Sequence, residues 1–497
     1  MSLGHLLRER AEAAGHRTLL RFPGVAELTV ADADLRSNRL ANGLARLGVG
    51  KGDRVVVMLA NGLGFPLLWF ALAKLGAVIV PVNAGYRRDD LRHVLTDSGA
   101  GVAVAGTPEA ARLLRDAGGV RAVVMLDAAT GDPRDGEYGT AIDISDPHFE
   151  LGDVGPGDLL NLQYTSGTTG FPKGCMLTHG YWLRLAGAAA DLMEVREDDV
   201  DMTAQPYSYM DPQWNTVLCL MAGIPLVVLP RFSASGFWGS VREHGVTFFY
   251  VLGTMPVYLL KQPADPVLDR AHRVRAVLCS GIAPGIHRAL EERWGAPWRE
   301  AYGSTETGVD LFVPLEDAGS VGSGLMGRPV PGKRVEIRDG EMVVKGEPMM
   351  LGYWNRPPVF DDGWFHTGDL VERAANGYFR LVGRTKDMIR RGGENIAAAE
   401  VEAVLTGHPS VLAAAVVPVP DELRGEEVLA YLRTREPVEP GEVVKYVADR
   451  LAKFKVPRFV VFVDDFPMTP SERIAKHALT TAGAHVYDAV KGEWVRG

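Results

Sequence analysis

Cysteine is scarce in this chain: three residues in 497, at positions 175, 219 and 279. They stand far apart, follow no metal-binding spacing and do not form an even set. A disulfide framework and a structural zinc site are therefore excluded, and free thiols in a reducing, cytoplasmic compartment are expected. Long uninterrupted apolar runs are lacking as well. "FPLLWFALAKLGAVIVPV" is broken by Lys74 and two prolines, while "TVLCLMAGIPLVVLP" is too short to span and holds Gly223 and Pro225. No membrane span is expected from either. The opening "MSLGHLLRERAEAAGHRTLL" reads as a charged amphipathic helix without the apolar centre of a secretory signal. Positive charge is not in excess: 53 Lys and Arg stand against 62 Asp and Glu, a net charge of -9, which argues against nucleic acid as the main partner.

What is present is a balanced globular composition, 46% hydrophobic and 23% charged, so most of the chain should fold. Its length exceeds what one core serves, and two or more domains follow. Short β-branched runs alternate with helical patterns, as in "DRVVVML", "GFPLLWFALAKLGA", "VIVPVN", "RDDLRHVLTDSGA" and "GVAVAG". That alternation predicts parallel sheet with crossover helices, and it resumes in "IPLVVLP", "GVTFFYVL" and "VRAVLCSG". From about residue 325 short strands and turn signals predict a β-rich subdomain, to about 384. The fold class is thus α/β: a large N-terminal domain over 1–384, with parallel sheets flanked by helices, and a small α+β C-terminal domain over 385–497. The boundary falls near Arg384 to Asp387.

One stretch fits neither a core nor an ordinary turn. "YTSGTTGFPKGCMLTH", residues 164–179, gathers glycines, hydroxyls and a lysine. Glycines let the backbone approach a ligand and turn its N–H groups inward, which suits phosphate oxygens. Thr165, Ser166, Thr168 and Thr169 add hydroxyl donors, and Lys173 adds a mobile positive charge. A Walker loop needs G-x-x-x-x-G-K-[ST]; counted from Gly167, position 172 is proline and Gly174 follows the lysine, so a P-loop ATPase is excluded. Cys175 follows closely, yet nothing singles it out as a nucleophile.

Further stretches accompany this one: "AYGSTETG" (301–308), "GWFHTGDL" (363–370), "GRTKDMIRRGGENI" (383–396) and "PMTPSERIAK" (467–476). Together, and in this order, they resemble the motifs of the adenylate-forming superfamily of acyl-CoA synthetases, peptide-synthetase adenylation domains and firefly luciferase, over essentially the whole chain. The resemblance implies an ATP- and Mg²⁺-dependent enzyme that joins a carboxylate to AMP and passes the acyl group to a thiol, most often that of CoA. It implies that Thr165, Ser166, Gly167, Thr168, Thr169, Gly170 and Lys173 hold the β- and γ-phosphates. Tyr302 would stack on adenine beside Gly303 and Ser304, Thr305 would reach the α-phosphate, and Glu306 would bind Mg²⁺. Asp369 would take the ribose hydroxyls, assisted by Arg384. The small domain would rotate about Lys386, bringing Gly392, Gly393 and Glu394 to a pantetheine channel.

Two departures bear on the substrate. The last motif of the superfamily usually ends in glycine then lysine; here Glu472 and Arg473 occupy those places, with Lys476 three residues on. Arg473 keeps the charge for the first half-reaction, although its planar fork differs from an ammonium. In "QPYSYMDPQWN" (205–215), Tyr207, Tyr209, Asp211 and Trp214, together with Gly281, form the expected substrate pocket, with tyrosine where relatives often carry histidine. Aromatic faces with a carboxylate suit a charged or amine-bearing acid ahead of a long alkyl chain, and the alternative is that these aromatics pack the domain core. The expected partners are a small-molecule acid or oxyanion and CoA, with a carrier protein as the alternative acceptor. A second reading is activation of nitrite for diazotization of an aromatic amine in secondary metabolism. A third is a non-catalytic paralogue that binds nucleotide or a carrier; Thr165, Lys173, Glu306, Asp369 and Arg384 speak against it.

Overall fold

The computed structural model describes residues 1–497 except 166–171, 253–254, 386–387, 392–393, 422–423, 452, 470–472 and 497. The chain forms two compact units, Met1–Val335 with Val344–Phe365, and Glu336–Val343 with His366–Gly497. The division passes through the expected β-rich subdomain, whose strands include Arg334–Arg338, Glu341–Lys345 and Trp364–Arg373. Compactness thus groups residues 366–384 with the C-terminal segment, whereas the sequence reading placed the boundary at Arg384–Asp387.

In the first unit the β-branched runs fold as read. A six-stranded sheet runs Ala122–Met125, Val102–Ala105, Arg54–Met58, Val78–Pro81, Leu159–Thr165 and Lys173–Thr178. All neighbours are parallel except the last pair. A second sheet has a parallel centre: Trp298–Ser304, Ala276–Ser280, Phe248–Leu252, Asp201–Thr203, Leu226–Val228 and Thr18–Phe22. Strands buried on both faces carry no polar alternation, which is why these runs read as continuous Val, Ile, Leu and Phe.

The helix Gly64–Leu75 is buried from Gly64 through Lys74. Lys74, which marks the stretch as unfit for a bilayer, is itself wholly enclosed. Its Nζ donates to Asp34 Oδ1 at 2.6 Å, Asn38 Oδ1 at 2.6 Å and Ser37 Oγ at 2.8 Å, all on helix Val30–Arg46. Burial pulls its pKa down to about 8 against the opposing pull of Asp34. Among the described residues no helix is long and apolar enough to cross a membrane.

The two sheets are tied by a chain of buried amides, since interior polar groups must find partners. Trp69 Nε1 donates to Asn161 Oδ1 at 3.1 Å, and Asn161 Nδ2 donates to Gln213 Oε1 at 2.7 Å. Gln213 Nε2 then donates to the carbonyls of Tyr207 and Tyr209, each at 2.9 Å. The strand leading into the glycine stretch is thereby registered against the segment 207–209.

In the second unit residues 369–373 of strand Trp364–Arg373 pair antiparallel with Phe379–Arg384. A further sheet contains the hairpin Met388–Arg391/Glu394–Ala397, the long pair Val411–Asp421/Gly425–Thr434, and Phe459–Phe462. Helices Ala398–Thr406 and Pro440–Ala448 contribute Val401, Leu405, Val443 and Val447 to its core with Ile389, Ile396, Val428 and Val460.

Candidate active site

Strands Leu159–Thr165 and Lys173–Thr178, which border the glycine stretch in sequence, pair antiparallel with Thr165 opposite Lys173. Ser166, Gly167, Thr168, Thr169 and Gly170 lie outside the described residues. Both strands are gripped by one helix, Arg88–Ser98. Tyr164 Oη donates to Asp97 Oδ2 at 2.7 Å, and His93 Nε2 lies 2.9 Å from the Pro172 carbonyl. Residues 93 and 97 are four apart, so they share a helix face. Asp97 also meets Arg356 at 3.3 Å, and its carbonyl accepts from Trp354 Nε1 at 3.0 Å.

Tyr302, Gly303 and Ser304 end strand Trp298–Ser304, and Thr305 and Glu306 lie in the turn to strand Gly308–Phe312. Gly303 is obligatory: a Cβ there would lie 1.9 Å from the Gly308 carbonyl oxygen. The turn is tied down on several sides. Tyr181 Oη donates to the Thr305 carbonyl at 2.9 Å, and the Met350 amide to that of Glu306 at 2.8 Å. Beneath it, the enclosed Lys333 donates to the carbonyls of Thr307 and Pro348 at 2.5 Å each and pairs with Asp310 at 3.3 Å.

Glu306 approaches the hairpin through Tyr353, whose Oη donates to Glu306 Oε1 at 2.8 Å. Lys173 Nζ sits 5.2 Å from the centre of the same tyrosine ring. Burial, then the charge of Glu306, raises the phenol pKa far above its ordinary value. Cys175 is fully buried near Thr165 and Glu306, and desolvation raises its thiol pKa well above normal. Full enclosure with a raised thiol pKa is the environment of a structural cysteine rather than a nucleophile.

The substrate segment divides. Tyr207 has none of its surface exposed, stacks on Phe65 at 4.9 Å and shares a hydrogen bond with Thr216 Oγ1 at 2.8 Å. It is a core residue rather than a pocket wall, a correction to the sequence reading that follows from the segment's registration by Gln213. Tyr209 Oη accepts from Asn83 at 3.1 Å. Asp211 and Trp214 lie one turn apart near the start of helix Met210–Ala222, 9% and 7% exposed. Trp214 meets Tyr250 edge-on at 5.6 Å, and Met210 Sδ accepts from Thr305 Oγ1 at 3.4 Å, which brings this helix start to the Thr305–Glu306 turn.

Gly281 has a φ of +88° and open space where a side chain would stand. Its amide donates to Glu300 Oε1 at 2.6 Å, and that of Ile282 to Oε2 at 2.8 Å. Desolvation pushes the Glu300 pKa up to about 7 despite these bonds. Tyr250 Oη donates to Ser280 Oγ at 2.8 Å, and Ser280 Oγ donates to the Ala301 carbonyl. Glu300, Tyr250, Ser280, Tyr353, His93 and Asp97 were absent from the sequence reading. Only Glu300, directly before "AYGSTETG", carried a positional hint.

In the second unit Asp369 stands in register with Arg384, with Oδ1 2.7 Å from Nε and the aspartate 3% exposed. The Gly368 amide donates to Glu341 Oε1 at 2.8 Å and fixes the turn before it. Lys386, Gly392, Gly393 and Glu472 lie outside the described residues, as does the side chain of Glu394. Arg473 is exposed in a loop closed by Thr469, whose hydroxyl accepts its amide at 3.1 Å. Lys476 pairs with Glu402 at 2.8 Å.

Magnesium suits oxygen donors and takes one or two carboxylates, leaving its other positions to phosphate and water. Glu306 beside the Thr165 stem fits that demand. No group of three or more His, Cys, Asp or Glu among the described residues offers an all-protein cage.

A hairpin carrying Lys173 and a turn carrying Glu306 meet at Tyr353, and this is the candidate site. Comparison with known proteins gives its class. Residues 7–354 match the family described as AMP-binding enzyme, and residues 400–473 the AMP-binding enzyme C-terminal domain. The chain is 32% identical to the long-chain-fatty-acid–CoA ligase FadD13 of Mycobacterium tuberculosis, covering 96% of this chain and 98% of that one. It is 35% identical to feruloyl-CoA synthase of an Amycolatopsis species, covering 95% and 97%. The structure of o-succinylbenzoate CoA synthetase (MenE) from Bacillus subtilis with its acyl-adenylate OSB-AMP superposes with a TM-score of 0.85 at 28% identity, covering 96% and 98%. That enzyme has also been solved with ATP and magnesium. The chain belongs to the AMP-binding enzyme family, and its class is that of the AMP-forming acid–thiol ligases. Neither nitrite activation nor a non-catalytic role finds support among these relatives.

Proposed function

We propose that the protein adenylates a carboxylic acid with ATP and Mg²⁺ and transfers the acyl group to CoA in two half-reactions. A carboxylate resists nucleophiles because it is anionic; joined to AMP it gains a good leaving group. The site must hold two anions in line and offset their repulsion. Lys173 supplies mobile charge at the phosphate hairpin, and Thr305 offers a hydroxyl beside the start of helix Met210–Ala222. Glu306 would hold Mg²⁺, which when bound draws charge from the phosphates. Tyr302 would stack on adenine, and Asp369 with Arg384 would hold the ribose. Arg473 would bridge the acid and the α-phosphate where relatives use lysine. The small domain would turn about Lys386 between half-reactions and bring Gly392, Gly393 and Glu394 to the pantetheine arm. Three buried free thiols support a reducing, cytoplasmic setting.

The observation that carries this reading is the meeting of Lys173 and Glu306 on Tyr353. Trp214 and Tyr250 beside Asp211 support an acid with an aromatic or cationic group over a plain alkyl chain. A pyrophosphate-release screen across acids, with and without CoA, tests both points. The expected result is AMP, pyrophosphate and CoA thioester in equal amounts. ATP left intact with every acid class would overturn the activity, and a clear preference for long fatty acids would overturn the substrate assignment.

A further inference from the structure

We infer that Tyr353 is a positioning residue for adenylation, orienting the Glu306 carboxylate with its hydroxyl and seating the Lys173 ammonium on its ring. The inference rests on the MgATP reading above, but it concerns a residue outside all five motifs that led to that reading.

Each half of the role has its own geometry. The hydroxyl donates to Glu306 Oε1 at 2.8 Å, and a carboxylate held through one oxygen loses the freedom to swing. Hydrogen bonds of this kind fix the direction and basicity of a metal-binding oxygen, and their loss typically lowers metal affinity about 10- to 100-fold. The ring centre lies 5.2 Å from Lys173 Nζ, within the reach of about 6 Å at which an aromatic face attracts a cation. Such a face steadies an ammonium without the neutralising charge that a carboxylate partner would bring.

The backbone around Tyr353 explains why it can serve both groups. The amide of Trp354 donates to the Gly174 carbonyl at 2.8 Å, the Leu351 amide to Met176 at 2.9 Å, and the Met176 amide to Gly352 at 3.0 Å. The segment therefore lies along the hairpin stem, and a bridge pairs Tyr353 with Cys175. From the other side Trp354 Nε1 and Asn355 Nδ2 both donate to the Asp97 carbonyl, at 3.0 and 2.9 Å. A single short segment is thus fastened to the lysine stem, to the helix gripping that stem, and to the metal-side carboxylate. Relative placement of Lys173 and Glu306 is set by one side chain.

Tyr353→Phe removes the hydroxyl and keeps the ring; Tyr353→Leu removes both. Nucleotide affinity is measured by calorimetry across a magnesium titration and again in EDTA. For Tyr353→Phe the magnesium needed for half-maximal tightening rises about tenfold, while affinity in EDTA and the melting temperature stay at wild-type values. Tyr353→Leu also weakens binding in EDTA, by a few-fold, through loss of the ring beneath Lys173. Glu306→Gln combined with Tyr353→Phe is no worse than Glu306→Gln alone, because the tyrosine acts through that carboxylate. An unchanged magnesium requirement in Tyr353→Phe, or full additivity in the double variant, overturns the inference. If the wild-type protein itself shows no magnesium dependence of nucleotide binding, the MgATP reading fails instead.

Discussion

Two glycine-bearing stretches with basic residues on one side stand in this chain, "TTGFPKG" in the first unit and "IRRGGEN" in the second, and the strand pairs beside them are secured in opposite ways. The first hairpin is gripped by mostly neutral hydrogen bonds, from Tyr164, from His93 to Pro172 and from the backbone of Trp354. Among the described residues its Lys173 makes no ion pair. The second hairpin is held by charge. Arg391 meets the fully enclosed Glu427 at 2.7 Å and donates to the Phe454 carbonyl at 2.7 Å. Arg424 and Arg458 close on the same glutamate at 2.7 and 3.9 Å, and Arg458 also meets Asp421 and Asp488. A cation committed to a buried carboxylate is structural; one resting on an aromatic face remains available to a phosphate. The basic residues look alike in sequence, and the carboxylates around them make the difference.

The comparison breaks most visibly at Glu427. Glu427→Gln leaves buried guanidinium charge uncompensated and should destabilise the second unit by about 3–5 kcal/mol, the usual effect of breaking a buried pair. Chemical denaturation followed by fluorescence reads the loss. Lys173→Met should do the reverse: melting unchanged, and pyrophosphate release slowed about 100- to 1,000-fold, as when one preorganised donor to transition-state charge is removed. A comparable drop in melting temperature would show Lys173 to be structural. A smaller effect is expected of Tyr164→Phe, which frees one hairpin stem from Asp97; stability should fall by about 1 kcal/mol and the KM for ATP should rise more than kcat falls.

The last prediction sharpens the contrast between two glutamates. Glu427 lies among guanidinium groups, whereas among the described residues Glu300 takes hydrogen bonds from the backbone amides of Gly281 and Ile282. Its folded pKa of about 7 exceeds the ordinary 4.5, so the folded state keeps its proton longer than the unfolded one. The associated stability is fully present below pH 4.5 and is lost as pH rises through about 7. Melting temperature should therefore decline over that window in the wild-type protein, and the decline should be shallower in Glu300→Gln. Equal slopes would remove the assignment.

Much of the fold was legible because strands buried on both faces must be apolar throughout, and "DRVVVML", "VIVPVN" and "GVAVAG" say so directly. Thr165 and Lys173 stood out as candidates because glycines, hydroxyls and a lysine so close together suit an anion, and Glu306 was singled out only by the family resemblance of its motif. Tyr207 was misread because an aromatic residue in a substrate-facing segment looks the same whether it points to the ligand or the core. That choice was made by Gln213, a residue without a sequence signature. Tyr353, His93 and Asp97 escaped notice for a related reason: their partners lie 47, 79 and 67 residues away.

By itself the order of residues determined the alternating sheet, the two-part layout and the kinds of chemical group offered at the candidate site, since these depend on local periodicity and motif spacing. Only the tertiary structure decided which cations were neutralised, which aromatics were enclosed and which tyrosine came to lie between Lys173 and Glu306. Those outcomes depend on desolvation and on distances of a few ångströms between segments far apart in the chain, and no local pattern encodes them.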